Sequence, residues 1–194
     1  MITLIDLSYR PGSLSCYEFV LPISSILAHL DICHTVVHWS DIQGLTGSTG
    51  CILCGTALAD NEFTSDLSKF SWIHASGIPI LGICAGMQVL ALIMGGTRKE
   101  DPVFGMQEIT SLVTESDELM GKHQQFTGYE LHRYTPDIPD SFIPLAISGK
   151  RIVAMKHRTN PWYGVMFHPE VRNEWVLHQF IRIASERQKE SIRV

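Results

Sequence analysis

Between Pro79 and Gln88 the chain passes from an unbroken apolar run, Ile78–Ile83, through Gly82, Cys84 and Gly86 into the helix-forming stretch 85–94. No other segment restricts the fold as tightly. A run that is apolar at every position is a strand covered on both faces, and the helix that follows ends at Gly95 and Gly96. A turn from strand to helix with small residues two positions to either side leaves no room for a long connection. It pushes the side chain at its apex into the open at the carboxyl edge of the sheet.

The residue at that apex is a cysteine. By itself Cys84 reads equally as a small buried hydrophobe at a strand end. Its position before a helix, however, gives the sulfur the partial positive charge of the helix N-terminus, which favours a thiolate. The N–H of Ala85 is then available to a developing oxyanion. A second segment completes the chemistry. Tyr163–Phe167 is β-rich and ends at His168, Pro169 and Glu170. A strand delivers His168 at its end, Pro169 stops the ladder, and Glu170 can fold back on the imidazole and fix its tautomer. Nucleophile, base and orienter are the three groups an activated cysteine requires. The chain has nine histidines. His132 and His157 compete with His168 for the role of base and are expected at the surface or behind the site.

The rest of the sequence frames these motifs. Met1–Leu7, 33–39 and Cys51–Cys54 read as further strands, and 17–30 and 63–75 as helices, with Trp72 and Ile73 facing inward. This alternation describes a parallel sheet with helices on both faces. After Gly96 the texture changes to short β-rich pieces, 108–113, 143–147, 151–156 and 162–167, followed by a closing helix over 174–187. The expected fold is therefore α/β, with a mostly parallel central sheet and an antiparallel β extension, in one domain covering residues 1–194.

Composition excludes several classes. With 45% hydrophobic and 18% charged residues the chain needs no staple to build a core. A net charge of −5, with its only modest basic cluster near the C-terminus, gives no reason to expect nucleic acid or an anionic membrane as partner. Asp6 and Arg10 precede any long apolar run, and no run reaches the ~20 residues of a membrane span. Five cysteines and no leader point to a reducing cytoplasm. Cys51 and Cys54 have C-x-x-C spacing, but without a second pair a metal or redox role is the weaker reading.

Taken together, Gly82–Gln88 and Gly164–Val171 resemble the class I glutamine amidotransferase family of Cys-His-Glu triad type, in their order, their separation and their structural setting. The resemblance implies a flavodoxin-like sheet and an activity that releases ammonia from glutamine, with no metal or organic cofactor. It also implies a synthetase partner that consumes the ammonia. It assigns Cys84, His168 and Glu170 to the triad, Gln88 to the amino-acid end of the substrate, and Ala85 with Gly55 or Thr56 to the oxyanion. Within the family, 138–142, 154–157 and 163–165 are similar to stand-alone GMP synthase glutaminase subunits. Three positions depart from the family's pattern, and the second counts against that subtype. Only Gly55 matches a loop that is richer in glycine and proline elsewhere, Glu130 and Leu131 stand where a Ser-His pair is common, and Met166 replaces a frequent glutamine. An altered pocket keeps two alternatives open: a free-standing γ-glutamyl hydrolase or amidase, and a non-catalytic member that binds or regulates a partner.

Overall fold

The structure, a computed structural model, describes residues 1–192; the last two residues, where the basic C-terminal cluster ends, lie outside the described residues. Nine strands and five helices follow in the order β1 (Ile2–Asp6), α1 (Leu14–Phe19), α2 (Leu21–His29), β2 (His34–His38), β3 (Gly50–Leu53), α3 (Trp72–Ser76), β4 (Ile80–Ile83), α4 (Ala85–Ile93), β5 (Arg98–Ser111), β6 (Gln125–Pro136), β7 (Phe142–Ser148), β8 (Arg151–His157), β9 (Trp162–Val165) and α5 (Trp175–Ile192).

All nine strands lie in one sheet of order β2-β1-β3-β4-β9-β8-β7-β5-β6. The first five in that order run parallel, and every ladder beyond β9 is antiparallel. The sheet is thus mixed rather than mostly parallel. The difference lies in β5 and β6, which are 14 and 12 residues long and pair with each other at the edge. Their register shifts between Glu100 and Val103, where Pro102 has no N–H to give the ladder.

Two expected helices divide for local reasons. Instead of one helix over 17–30 there are two, because Pro22 in the first turn of α2 cannot donate to the preceding turn. The expected helix over 63–75 is two 3-10 turns, Glu62–Thr64 and Leu67–Phe70, followed by the five-residue α3. Here the Asp66 carboxylate accepts from the Ser68 N–H at 3.1 Å, a bond that competes with helix continuation. Ile73 is buried as expected, and Trp72 is partly so.

The parallel core places the site. Leu4, Ile5, Ile52, Leu53, Ile80, Leu81, Ile83 and Val165 are fully buried between the helical layers, which explains why these strands are apolar at every position. Because β4 and β9 pair in parallel, with Ile83 opposite Val165, their carboxyl ends lie side by side. The chain leaves one as Cys84 and the other, three residues on, as His168.

Candidate active site

Cys84 sits at φ 49°, ψ −100°, in the positive-φ region that side-chain-bearing residues rarely occupy, immediately before the first residue of α4. The two glycines that flank it are fixed by packing. A Cβ on Gly86 would lie 2.2 Å from the Leu53 carbonyl oxygen, and one on Gly82 would lie 2.5 Å from the backbone of Gly86. Helix α4 therefore rests directly on the strand backbone, and this contact forces the sharp turn. The Cys84 N–H donates to the Val165 carbonyl at 2.7 Å, tying the elbow to β9.

His168 is fully buried, and its Nδ1 is 2.7 Å from Glu170 Oε1, so Nδ1–H donates to the carboxylate. Its backbone N–H donates to the Tyr129 carbonyl at 2.8 Å, and the rings of Phe19 and Tyr129 lie 5.3 and 6.3 Å from the imidazole. Cys84 lies close enough to act on the imidazole both by charge and by hydrogen bonding. Burial opposes the imidazolium, but the charges of Glu170 and then Cys84 outweigh it and hold His168 well above the ordinary histidine range. Cys84, His168 and Glu170 are thus brought together as the sequence motifs require.

The predicted accessory residues divide into two groups. Thr56, Ala85 and Gln88 line a narrow cleft with Cys84, Asp60, Asn61, Leu131 and Tyr134. Ala85 is the first residue of α4, so its N–H has no acceptor inside the helix. Thr56 donates its hydroxyl to Asp60 at 2.7 Å. Gly55 lies behind the cleft, against the imidazole, where a Cβ would be 2.6 Å from His168 Cε1 and 3.2 Å from Nδ1. Of the two candidate second donors, Thr56 borders the cleft and Gly55 makes room for the His168 ring.

The segment that replaces the Ser-His pair is built into the site. The Cys84 thiol donates to the Leu131 carbonyl at 3.5 Å. Glu130 is fully buried and accepts from His132 Nε2 at 2.8 Å and from Arg151 at 3.5 Å. His132, expected at the surface or behind the site, is buried and borders the cleft. His157 is buried as well, between the rings of Phe142 and Trp162, and burial lowers its pKa.

Arg98 carries no motif that marks it in the sequence, yet it contacts three residues that line the cleft, Asn61, Gln88 and Tyr134. It donates to Gln88 Oε1 at 3.1 Å, to Asn61 Oδ1 at 3.0 Å and to Thr64 Oγ1 at 3.3 Å, and it lies 4.3 Å over the Tyr134 ring. Cys51 within β3 and Cys54 just after it are free thiols, both fully buried, and burial raises the pKa of each. Among the described residues no cluster of three or more His, Cys, Asp or Glu is arranged to hold a metal, and no helix is long and apolar enough to cross a membrane.

A cysteine on a strained strand-to-helix elbow, beside a histidine oriented by a buried glutamate, defines a triad-type site on an α/β sheet. Residues 15–182 match the family described as glutamine amidotransferase class-I, and the chain belongs to that family. Within it, the chain is 38% identical over 121 residues to a glutamine-hydrolyzing GMP synthase subunit of Methanosarcina mazei, covering 59% of this chain and 64% of that one. It is 30% identical to the protein of the same name from Archaeoglobus fulgidus, over 70% of this chain and 74% of the relative. A Thermoplasma acidophilum crystal structure, provisionally named as a GMP synthase subunit, superposes with a TM-score of 0.83 at 25% identity over 98% of this chain and 96% of that one. Four of the curated relatives are spanned over only 52–66% of their length.

Proposed function

We propose that this chain hydrolyses the side-chain amide of glutamine through a γ-glutamyl thioester on Cys84, and that the ammonia is taken up by a synthetase partner of the GMP synthase kind. The observation that carries the reading is the Cys84 elbow beside a His168 whose Nδ1 is held 2.7 Å from Glu170.

In this reading His168 Nε2 takes the Cys84 proton, and Glu170 offsets the charge that forms on the imidazole. The thiolate adds to the amide carbon, and the carbonyl electron pair moves onto oxygen. The N–H of Ala85 and a donor at Thr56 face that oxyanion; one such donor contributes about 3–4 kcal/mol of transition-state stabilisation. Collapse of the intermediate breaks the C–N bond as His168 returns its proton to the nitrogen, and ammonia leaves. Water then attacks the thioester with His168 as base, giving glutamate and the free thiol. No step calls on a metal or an organic cofactor.

The names of the relatives support the synthetase-linked reading over a free-standing γ-glutamyl hydrolase, and the complete triad argues against a purely binding role. A reducing cytoplasm, in keeping with five free cysteines, is part of the proposal. The test is ammonia release from L-glutamine by the chain with its synthetase, compared with Cys84→Ala. Release by the native chain and none by the variant is the expected result. Release that persists in Cys84→Ala would remove Cys84 from the role. Equal turnover of a panel of γ-glutamyl amides without any synthetase would favour the hydrolase alternative.

A further inference from the structure

The thiol hydrogen of Cys84 has two acceptors within reach and can serve only one. It donates to the Leu131 carbonyl at 3.5 Å, while the His168 imidazole lies close enough to hydrogen-bond the same sulfur. A thiol carries a single hydrogen, so the bond to Leu131 withholds from the base the proton that the chemistry has to move. The carbonyl also acts once that proton has gone. Its oxygen bears partial negative charge and has no hydrogen to give, so beside the sulfur it favours the thiol and opposes the thiolate.

What keeps Leu131 in place is the residue before it. Among the described residues β6 is last in the sheet order, with β5 its one ladder neighbour. A single bridge, Glu130 to Phe167, joins it to the strand end that carries His168, and there the Tyr129 carbonyl accepts the His168 N–H. One bridge is a slender tie, and the Glu130 side chain adds to it. Its fully buried carboxylate accepts from His132 Nε2 at 2.8 Å and from Arg151 at 3.5 Å. A buried carboxylate is tolerated only while partners hold it, so lifting β6 from Cys84 works against both bonds.

The outer partner is the weak point of this arrangement. Arg151 is the first residue of β8 and is partly exposed, and its bond to Glu130 is longer than its 3.2 Å bond to Ser148. Deprived of Arg151, Glu130 keeps one partner, and a buried carboxylate short of partners draws its strand towards water. Leu131, the next residue along, moves with it.

We infer that the Leu131 carbonyl is a brake on Cys84, holding the thiol proton in the resting site, and that the bond between Glu130 and Arg151 latches it there. This rests on the glutaminase reading above for the role of Cys84 and adds a regulation of that site: β6 shifts before the proton passes to His168. Glu130 and Arg151 are positioning residues, acting on the sulfur only through the β6 backbone.

Alkylation reads the sulfur without glutamine. Iodoacetamide is attacked by the thiolate, which displaces iodide, and mass spectrometry separates Cys84 from the exposed Cys33 and the fully buried Cys51 and Cys54. Beside His168, the titratable groups around the sulfur are Asp60 from the loop after β3 and His132, Arg133 and Tyr134 from β6, all lining the cleft. Rates are therefore compared as the ratio of variant to native chain at one pH. Arg151→Met should raise the Cys84 rate about fivefold at about pH 7, the weight of one hydrogen bond, and the ratio should fall towards one at about pH 10, above the ordinary thiol range. Glu130→Gln, which keeps the shape of the side chain and weakens both its bonds, should act in the same direction by less. Ratios below about twofold in both variants overturn the inference. A ratio that is the same at both pH values reports easier access instead of a released proton, and also overturns it. So does faster alkylation of Cys51 and Cys54 in step with Cys84 in both variants, which would make the network structural only. If Arg151→Met fails to fold, Glu130→Gln carries the test. Acceleration confined to Cys84, in a chain that releases no ammonia with the proposed synthetase partner, would refute the glutaminase reading and leave the brake standing.

Discussion

Gly55→Ala isolates the placement of the base from its chemistry. The backbone at Gly55 does not occupy the left-handed region, so alanine brings no conformational strain of its own. What it brings is a methyl group 2.6 Å from His168 Cε1 and 3.3 Å from Phe19 Cδ1. Restoring an ordinary contact of 3.4 Å requires a movement of about 0.8 Å. The ring can retreat only by disturbing its 2.7 Å bond to Glu170, and the loop can retreat only by pulling on Cys54, whose N–H is bonded to the Ile5 carbonyl at 3.0 Å. Either response displaces the imidazole relative to Cys84 by most of an ångström. A misplacement of that order costs about 100-fold in rate, or about 2.7 kcal/mol of barrier. Overpacking should lower stability by about 1–3 kcal/mol, leaving a folded protein in which the rate loss can be read. The assay is kcat for ammonia release with the synthetase present, alongside the urea midpoint. A folded Gly55→Ala protein with kcat within about twofold of the native chain would refute the reasoning.

Other outcomes follow from the same geometry. The folded-state pKa of His168 is raised above its unfolded value of about 6.5, so its contribution to stability is complete below that pH and is lost as pH rises towards the folded value. Urea unfolding from about pH 6 to about pH 9, starting near the histidine reference value, should therefore show a decline that Glu170→Gln flattens. An unchanged slope would exclude the ion pair as its cause. Gly86→Ala, whose methyl would meet the Leu53 carbonyl at 2.2 Å, should cost about 3 kcal/mol or more, read as a lower urea midpoint or loss of soluble protein. Glu130→Ala strands His132 and Arg151 beside a vacated site and should cost about 3–5 kcal/mol. Glu130→Gln should cost less, and equal stability of the two variants would argue against the buried pair.

What could be seen in the sequence was whatever steric necessity had written into residue types. Gly82 and Gly86 signal the elbow because a Cβ at either would meet backbone where α4 rests on the sheet. His168, Pro169 and Glu170 signal the base because a strand end and a two-residue return leave few alternatives. The long hairpin was hidden: β6 runs through Glu130, His132 and Arg133, whose polarity suggests a surface segment, whereas Glu130 and His132 hydrogen-bond each other in the interior. That same concealment produced the expectation of a mostly parallel sheet. Arg98 was hidden for another reason, since its partners Asn61, Thr64 and Tyr134 lie far from it in sequence and carry no shared motif. The helix expected over 63–75 failed because apolar spacing does not register a side chain such as Asp66 that bonds its own backbone.

The central claim is that glutamine is opened by the sulfur of Cys84, and trapping that bond tests it most directly. Acid-quenched turnover of the chain with the proposed synthetase partner and L-glutamine, followed by mass spectrometry of the Cys84 peptide, should show a γ-glutamyl adduct on that sulfur, with none in Cys84→Ala. Ammonia release with no adduct at Cys84, or with the adduct on another of the cysteines, would contradict it.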